Sequence, residues 1–349
     1  MFHDLTVAEL RPETDGAVAI CFDVPEALSD VFAYAPGQYL TLRAKVAGQD
    51  LRRSYSIASL PGEPLTVGVK RVEGGAFSEF AQGLSAGDVL RVMPPEGRFT
   101  DPGCDRMVLI AAGSGITPMV SLAGAALARG AEVALIYGNR RTDTIMFRET
   151  LEALKDRYLG RFTLVHVLSR EPQDVALLSG RVDGEKVTRL AQAGAVDPAG
   201  ADGVFLCGPG EMIDAVEAAV LALGVDHACI HHERFFMAGE TPRMPKSAAA
   251  EAAAEGGVEV EIVLDGARRQ FTYTGEDETV IAAAERAGLD LPYSCRGGMC
   301  CTCRCKVAAG SAEMAVNYSL EPWELEAGFT LACQTRPTSE KLVLDFDAA

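Results

Sequence analysis

Residues Met107–Ala128 read MVLIAAGSGITPMVSLAGAALA, an uncharged run long enough to cross a bilayer as one helix. Its middle, Gly113-Ser114-Gly115-Ile116-Thr117-Pro118, is a turn that would break such a helix. The pattern therefore predicts a strand, a tight turn and a helix. Downstream the same alternation continues with EVALIYG, TIMFRETLEALKDRY, FTLVHVLSR, EKVTRLAQAG, GVFLCG, GEMIDAVEAAVLALG and HACIHHERF. Strands alternating with helices predict a doubly wound parallel α/β sheet over residues 104–237.

Upstream, residues 1–103 show short strands between Gly and Pro turns: LTVAEL, AVAICFDV, GQYLTLRAKV, RRSYSIASL, PLTVGVKRV and DVLRVMPP. That spacing predicts a small antiparallel β-barrel. After the parallel sheet, residues 238–257 (AGETPRMPKSAAAEAAAEGG) are poor in aromatics and rich in Ala, Glu and Pro, the composition of a linker, within which AAAEAAAE is expected to be transiently helical. Residues 258–349 form a third domain with a hairpin (VEVEIVLDG, RRQFTYTG), a helix (ETVIAAAERAG), a cysteine-rich loop and a last strand, KLVLDFD.

The 349 residues carry 32 Lys plus Arg against 49 Asp plus Glu, a net charge of −17. Such a surface repels phosphate backbones and anionic lipid, so neither nucleic acid nor membrane is expected as a partner. The N-terminus lacks the apolar core of a signal peptide. Ten cysteines without that signal point to a reducing compartment, hence a cytoplasmic protein whose clustered thiols bind metal or do redox work.

Those thiols are concentrated in Cys295-Arg-Gly-Gly-Met-Cys300-Cys-Thr-Cys303, with Cys333 thirty residues on. C-x4-C-x2-C…C is the spacing of a plant-type [2Fe–2S] cluster. The rival readings are a zinc site, which would show two paired C-x2-C hooks, and a dithiol at Cys300 and Cys303, which leaves Cys295 and Cys333 unexplained. Cys301 and Cys305 fall off the spacing and are read as non-ligands. In the barrel segment, Arg53-Ser54-Tyr55-Ser56 and Lys70-Arg-Val-Glu-Gly74-Gly75 supply what a flavin needs. Tyr55 can stack, Ser56 can reach N5, Arg53 can pair a phosphate, and Gly74-Gly75 can open an anion nest. The Gly113–Pro118 turn lies where a pyrophosphate sits on a helix N-terminus. Cys207-Gly208-Pro209 ends a later strand, where ligands bind in open α/β sheets. An acid at the adenine ribose suits NADH and arginines suit the 2′-phosphate of NADPH. Asn139-Arg140-Arg141 follows EVALIYG with no acid at the strand end, and Ser169-Arg170-Glu171 and then Arg181 follow the next strand, which favours NADPH over NADH, with solvated surface arginines as the alternative. His231 and His232 are adjacent in a strand and point to opposite faces, which argues against a shared metal.

These motifs together resemble the ferredoxin-NADP reductase-type oxidoreductases that carry a C-terminal plant-type ferredoxin domain and serve bacterial multicomponent oxygenases. The resemblance implies a β-grasp fold for the third domain. It implies FAD in the barrel, with FMN in some relatives, held by Arg53, Ser54, Tyr55, Ser56, Val69, Lys70, Gly74, Gly75, Phe77 and Ser78. Nicotinamide nucleotide would be held by Gly113, Gly115, Thr117, Arg140, Ser169, Arg170, Arg181, Cys207, Gly208 and Pro209. Ser56, Cys207 and Glu233 would surround the reacting rings, and Cys295, Cys300, Cys303 and Cys333 would ligate the cluster. The implied function is electron transfer from NADPH through FAD and [2Fe–2S] to an oxygenase, with a di-iron epoxidase acting on phenylacetyl-CoA favoured by the cysteine loop and VNYSLEPWELEAGFTLACQTRP. The rivals are an NADH-dependent reductase of a steroid or aromatic-ring hydroxylase and a redox-sensing flavoprotein without turnover.

Overall fold

The computed structural model describes residues 2–235 and 244–348, which divide into two compact units, Met1–Ala238 and Gly239–Ala349. The first unit opens with six antiparallel strands, in the order Gln49–Ser56, Tyr39–Val46, Val89–Val92, His3–Thr14, Ala17–Asp23, Thr66–Lys70. An Ile57–Val67 bridge and an Ala58 N–H donated to the Thr66 carbonyl bring the two outer strands together, so the sheet curls shut. Leu5, Val7, Ile20, Leu40, Leu42, Val67 and Val69 fill it, each from one face of its alternating strand. A short helix, Ala76–Ala81, follows the Gly74-Gly75 turn; the strand pattern gave no sign of it.

A five-stranded parallel sheet completes this unit, in the order Ile230–Arg234, Gly203–Gly208, Arg106–Ala112, Glu132–Asn139, Phe162–Leu168. The chain winds outward from Arg106–Ala112 in one direction, then returns to its other side at Gly203–Gly208. The crevice between those two strand ends is the place where doubly wound sheets take ligands. The helix Ile116–Arg129 is apolar on nearly every side and accordingly buried, and ends on Gly130 in the left-handed region. Barrel and parallel sheet are tied together. Glu13 accepts from the Phe147 N–H at 2.7 Å, and the Gly37 N–H donates to Ser121 Oγ at 3.1 Å. Among the described residues no helix is long and apolar enough to cross a membrane.

The second unit is a mixed sheet in the order Ala267–Tyr273, Val258–Leu264, Lys341–Asp345, Arg304–Ala309, Phe329–Leu331, with the helix Val280–Arg286 on it. Its first two strands are an antiparallel hairpin, and the last strand pairs parallel to Val258–Leu264, giving a β-grasp. Residues 238–257, expected as a linker, are ordered in their second half. Ser247 Oγ caps a helix, Ala248–Gly256, whose Ala250 and Ala254 are buried in this unit. The physical reason is that alanine spacing, which reads as low complexity, also lets a helix lie close on a sheet. Arg336, only 4 % exposed, fixes the segment before it by donating to the carbonyls of Met244 (2.7 Å) and Pro245 (3.0 Å). Residues 236–243 lie outside the described residues.

Candidate functional site

Three strand ends bring Ser56, Cys207 and Glu233 together. Glu233 pairs in register with Cys207 across the two parallel strands, and Ser56 Oγ, from the barrel, donates to Glu233 Oε2 at 3.2 Å. Burial pushes the Glu233 carboxyl up to about 7, with the Ser56 hydrogen bond pulling the other way. Cys207 is fully buried, and burial together with the Glu233 charge holds its thiol well above the usual range. At rest it is a thiol, not a nucleophile. Gly115 abuts this strand end so closely that a Cβ there would lie 2.2 Å from the Cys207 carbonyl oxygen. Only glycine fits, and that lets the turn approach a ligand with bare backbone.

The nicotinamide-side residues cluster around this crevice. Lys70 reaches over from the barrel, and its Nζ would be 3.3 Å from a Cβ on Gly113. Burial and the nearby Arg140 cation push its ammonium below the usual lysine range. Two cations held close together over a glycine turn fit a diphosphate, which would relieve their repulsion. Thr117 is buried, and its hydroxyl closes the turn onto the Ser114 carbonyl. Pro209 stands at the N-cap of the helix Gly210–Ala222, directly after Gly208. The Ser169 N–H donates to the Asn139 carbonyl and the Arg170 N–H to the Arg140 carbonyl, so the two arginine-bearing loops run side by side. The Gly180 N–H donates to the Leu168 carbonyl and returns Arg181 to the same sheet end. The nearby acid, Glu171, is engaged by Thr142 through its N–H (2.9 Å) and its hydroxyl (2.6 Å), which hold the carboxyl below its usual range.

The flavin-side residues divide. Tyr55 is half-buried with Phe77 behind it at 5.7 Å between ring centroids, so one face of the Tyr55 ring is backed by protein. Arg53 is exposed; its guanidinium donates to the Arg52 carbonyl. Ser54 is half-buried beside it. Phe77 and Val69 point into the barrel core, so they shape the site from behind rather than line it. Ser78 Oγ accepts from the Val72 N–H at 3.0 Å and donates to the Gly75 carbonyl, closing the glycine turn. The Gly74 N–H donates to the Glu79 carboxylate at 2.9 Å, so an anion already rests on that turn. These residues offer a flavin an aromatic wall and a hydroxyl beside a carboxyl, whereas the Gly74-Gly75 turn, expected as an open anion nest, has both its amides engaged within the chain, by Glu79 and the Val72 carbonyl.

In the second unit the loop 295–303 wraps its sulfurs with backbone. The Gly297 N–H donates to Cys295 Sγ (3.3 Å), the Cys295 N–H to Cys300 Sγ (3.5 Å) and the Cys333 N–H to Cys303 Sγ (3.5 Å). Gly298, at φ +74°, has the Val316 carbonyl where a Cβ would go. The contact with Cys295, together with burial, holds the Cys300 thiol well above its usual range; four thiolates this close need cations between them. The four sulfurs lie together, with Cys295 against both Cys300 and Cys333 and Cys303 against Cys333. A two-iron cluster asks for four thiolates, two at each iron. Cys301, at φ +58°, turns its Sγ toward the Ser319 carbonyl, and Cys305 is buried in a strand. Motif reading missed Thr302, whose hydroxyl hydrogen-bonds Cys300, and Gln334, whose amide reaches Cys333 Sγ (3.8 Å) and the Arg296 carbonyl (2.7 Å). Gln334 directly follows Cys333 of the cysteine pattern, which was the available signal. His231 stacks on Phe205 (4.6 Å), whereas His232 faces Glu217 (4.0 Å).

Family models match in chain order: an oxidoreductase FAD-binding domain over residues 11–100, an oxidoreductase NAD-binding domain over 109–218 and a 2Fe-2S iron-sulfur cluster binding domain over 262–338. The chain is 44% identical to one of the subunits of the 1,2-phenylacetyl-CoA epoxidase of Escherichia coli, covering 99% of this chain and 98% of the relative. It is 35% identical to the ferredoxin reductase component of a Rhodococcus rhodochrous 3-ketosteroid-9-alpha-monooxygenase, covering 98% and 96%. Its fold matches phthalate dioxygenase reductase with a TM-score of 0.60 at 22% identity, covering 99% of this chain and 98% of that one.

Proposed function

Because the chain belongs to the ferredoxin-NADP reductase-type reductases that carry a C-terminal [2Fe–2S] domain and supply electrons to oxygenases, we propose that it draws them from NADPH and delivers them to a di-iron epoxidase acting on phenylacetyl-CoA. FAD, when bound, would supply hydride acceptance and a [2Fe–2S] cluster would supply one-electron transfer. This chain's residues bind, orient and hold protons. Lys70 and Arg140 hold the dinucleotide diphosphate over the bare backbone of Gly113 and Gly115. Cys207 and Gly208 set the floor on which the nicotinamide rests. Ser56 Oγ and the Glu233 carboxyl hold a proton between them at the edge of the flavin. Tyr55 walls the flavin, Arg53 meets its phosphates, and Cys295, Cys300, Cys303 and Cys333 hold the cluster.

The observation that supports NADPH is the engagement of Glu171 by Thr142. It leaves Arg170 and Arg181, both exposed, as the groups available to a ribose substituent, and arginines suit a phosphate. Support for the partner is the similarity to the Escherichia coli epoxidase component. The test follows NADPH or NADH oxidation coupled to product with the phenylacetyl-CoA epoxidase oxygenase component. Arg170→Ala is expected to raise KM for NADPH roughly 10- to 150-fold and leave KM for NADH nearly unchanged, the loss of one charge-assisted contact. Equal effects on both nucleotides would place Arg170 outside the site. Coupled turnover only with a ring or steroid hydroxylase would replace the partner and keep the reductase; no turnover with any acceptor would favour a redox sensor.

A further inference from the structure

The chain's one tryptophan, Trp323, is 58% exposed. It lies on the short helix Pro322–Glu326 with Leu325, 44% exposed, and Pro322, also exposed. Between them Glu324 is 0% exposed and accepts from Arg304 Nε at 2.6 Å, and the Arg304 guanidinium lies 3.7 Å over the Phe329 ring. Because Glu324 is locked inward, its neighbours on either side are held outward and cannot turn in to bury themselves. The helix is also tied to the cluster loop. Arg304 directly follows Cys303, Ser319 Oγ donates to the Gly298 carbonyl at 3.2 Å, and Cys301 Sγ reaches the Ser319 carbonyl.

We propose that Pro322, Trp323 and Leu325 form the surface on which the oxygenase docks to receive electrons, through an apolar pocket rimmed by Lys or Arg. This rests on the chain serving an oxygenase and holds whichever oxygenase that is. The apolar centre is flanked by exposed Glu321 and Glu326, on a domain with 15 acidic against 8 basic residues over 258–349. An aromatic centre in a charged rim is the anatomy of an interface, and tryptophan is the residue type most often found to dominate one. The acidic rim selects a basic partner surface. An acceptor seated there lies beside the loop that holds Cys300 and Cys303, which is what delivery of an electron requires.

The test uses the full-length protein with FAD and cluster loaded. Two oxygenase components are run in parallel, those of phenylacetyl-CoA epoxidase and of 3-ketosteroid-9-alpha-monooxygenase, and KM is read on whichever the wild type reduces. Trp323→Ala and Leu325→Glu should each raise that KM roughly 10- to 30-fold, Trp323→Phe should restore most of it, and Glu326→Lys should raise it further as salt is lowered. NADPH-driven reduction of ferricyanide and of the cluster itself should stay as in the wild type. Unchanged KM in Trp323→Ala, or impaired cluster reduction by NADPH in the same variant, would overturn the proposal. Reduction of the steroid component alone would overturn the epoxidase partner named above while this surface is still tested.

Discussion

Glu233 sits where a barrel strand and two parallel strands meet, and its ionisation can be read from outside. Its carboxyl is raised from 4.5 to about 7 by burial, so the folded state favours the protonated form. The stability this lends is complete below pH 4.5 and is lost as pH rises through about 7. Glu233→Gln keeps the shape and the hydrogen bond from Ser56 and removes the charge. It should flatten that loss and leave the variant more stable than wild type near pH 8 by roughly 1–2 kcal/mol, measured by thermal unfolding of the flavin-loaded protein across pH. A pH profile identical to wild type would mean that the carboxyl is solvated.

At the scale of the element, the six cysteines between Cys295 and Cys333 do different work. Serine at Cys295, Cys300, Cys303 or Cys333 should lower iron content and visible absorption together. Serine at Cys301, turned toward the Ser319 carbonyl, should leave both intact, and serine at Cys305 should cost stability rather than iron because it places a hydroxyl in the core. Iron retained in Cys303→Ser and lost in Cys301→Ser would reverse the assignment. The ligand spacing is visible in sequence because chemistry requires it locally. The same holds for the Gly113–Pro118 turn and for alternating strands such as Leu5 and Val7. What escaped is long-range or weakly patterned. The Arg304–Glu324 pair joins residues twenty apart whose partnership no local period announces. The helix Ala76–Ala81 is too short to show a period; for Ala248–Gly256 the helical tendency was legible in the alanine run, but its fixed order comes from the surface that receives Ala250 and Ala254.

Across the whole molecule, the two compact units suggest separable tasks. A chain ending after Gly239 should keep FAD and reduce ferricyanide with NADPH, but should reduce cytochrome c and the oxygenase poorly, because the one-electron outlet is gone. Efficient cytochrome c reduction by that fragment would show that the outlet is not required. If the proposed docking surface selects a basic partner, electron delivery by the intact chain should also slow as salt rises through roughly 0.1 M, where screening reaches about 10 Å, since the second unit is acidic. The grip of Arg336 on Met244 and Pro245 bears on anyone who would transplant this electron outlet onto another reductase. A graft begun at Val258, the first sheet residue, discards the two carbonyls that accept hydrogen bonds from a buried guanidinium and the alanine helix that covers its neighbours. A graft begun just before Met244 carries its own anchor, and should be the chimera that expresses as folded, iron-loaded protein.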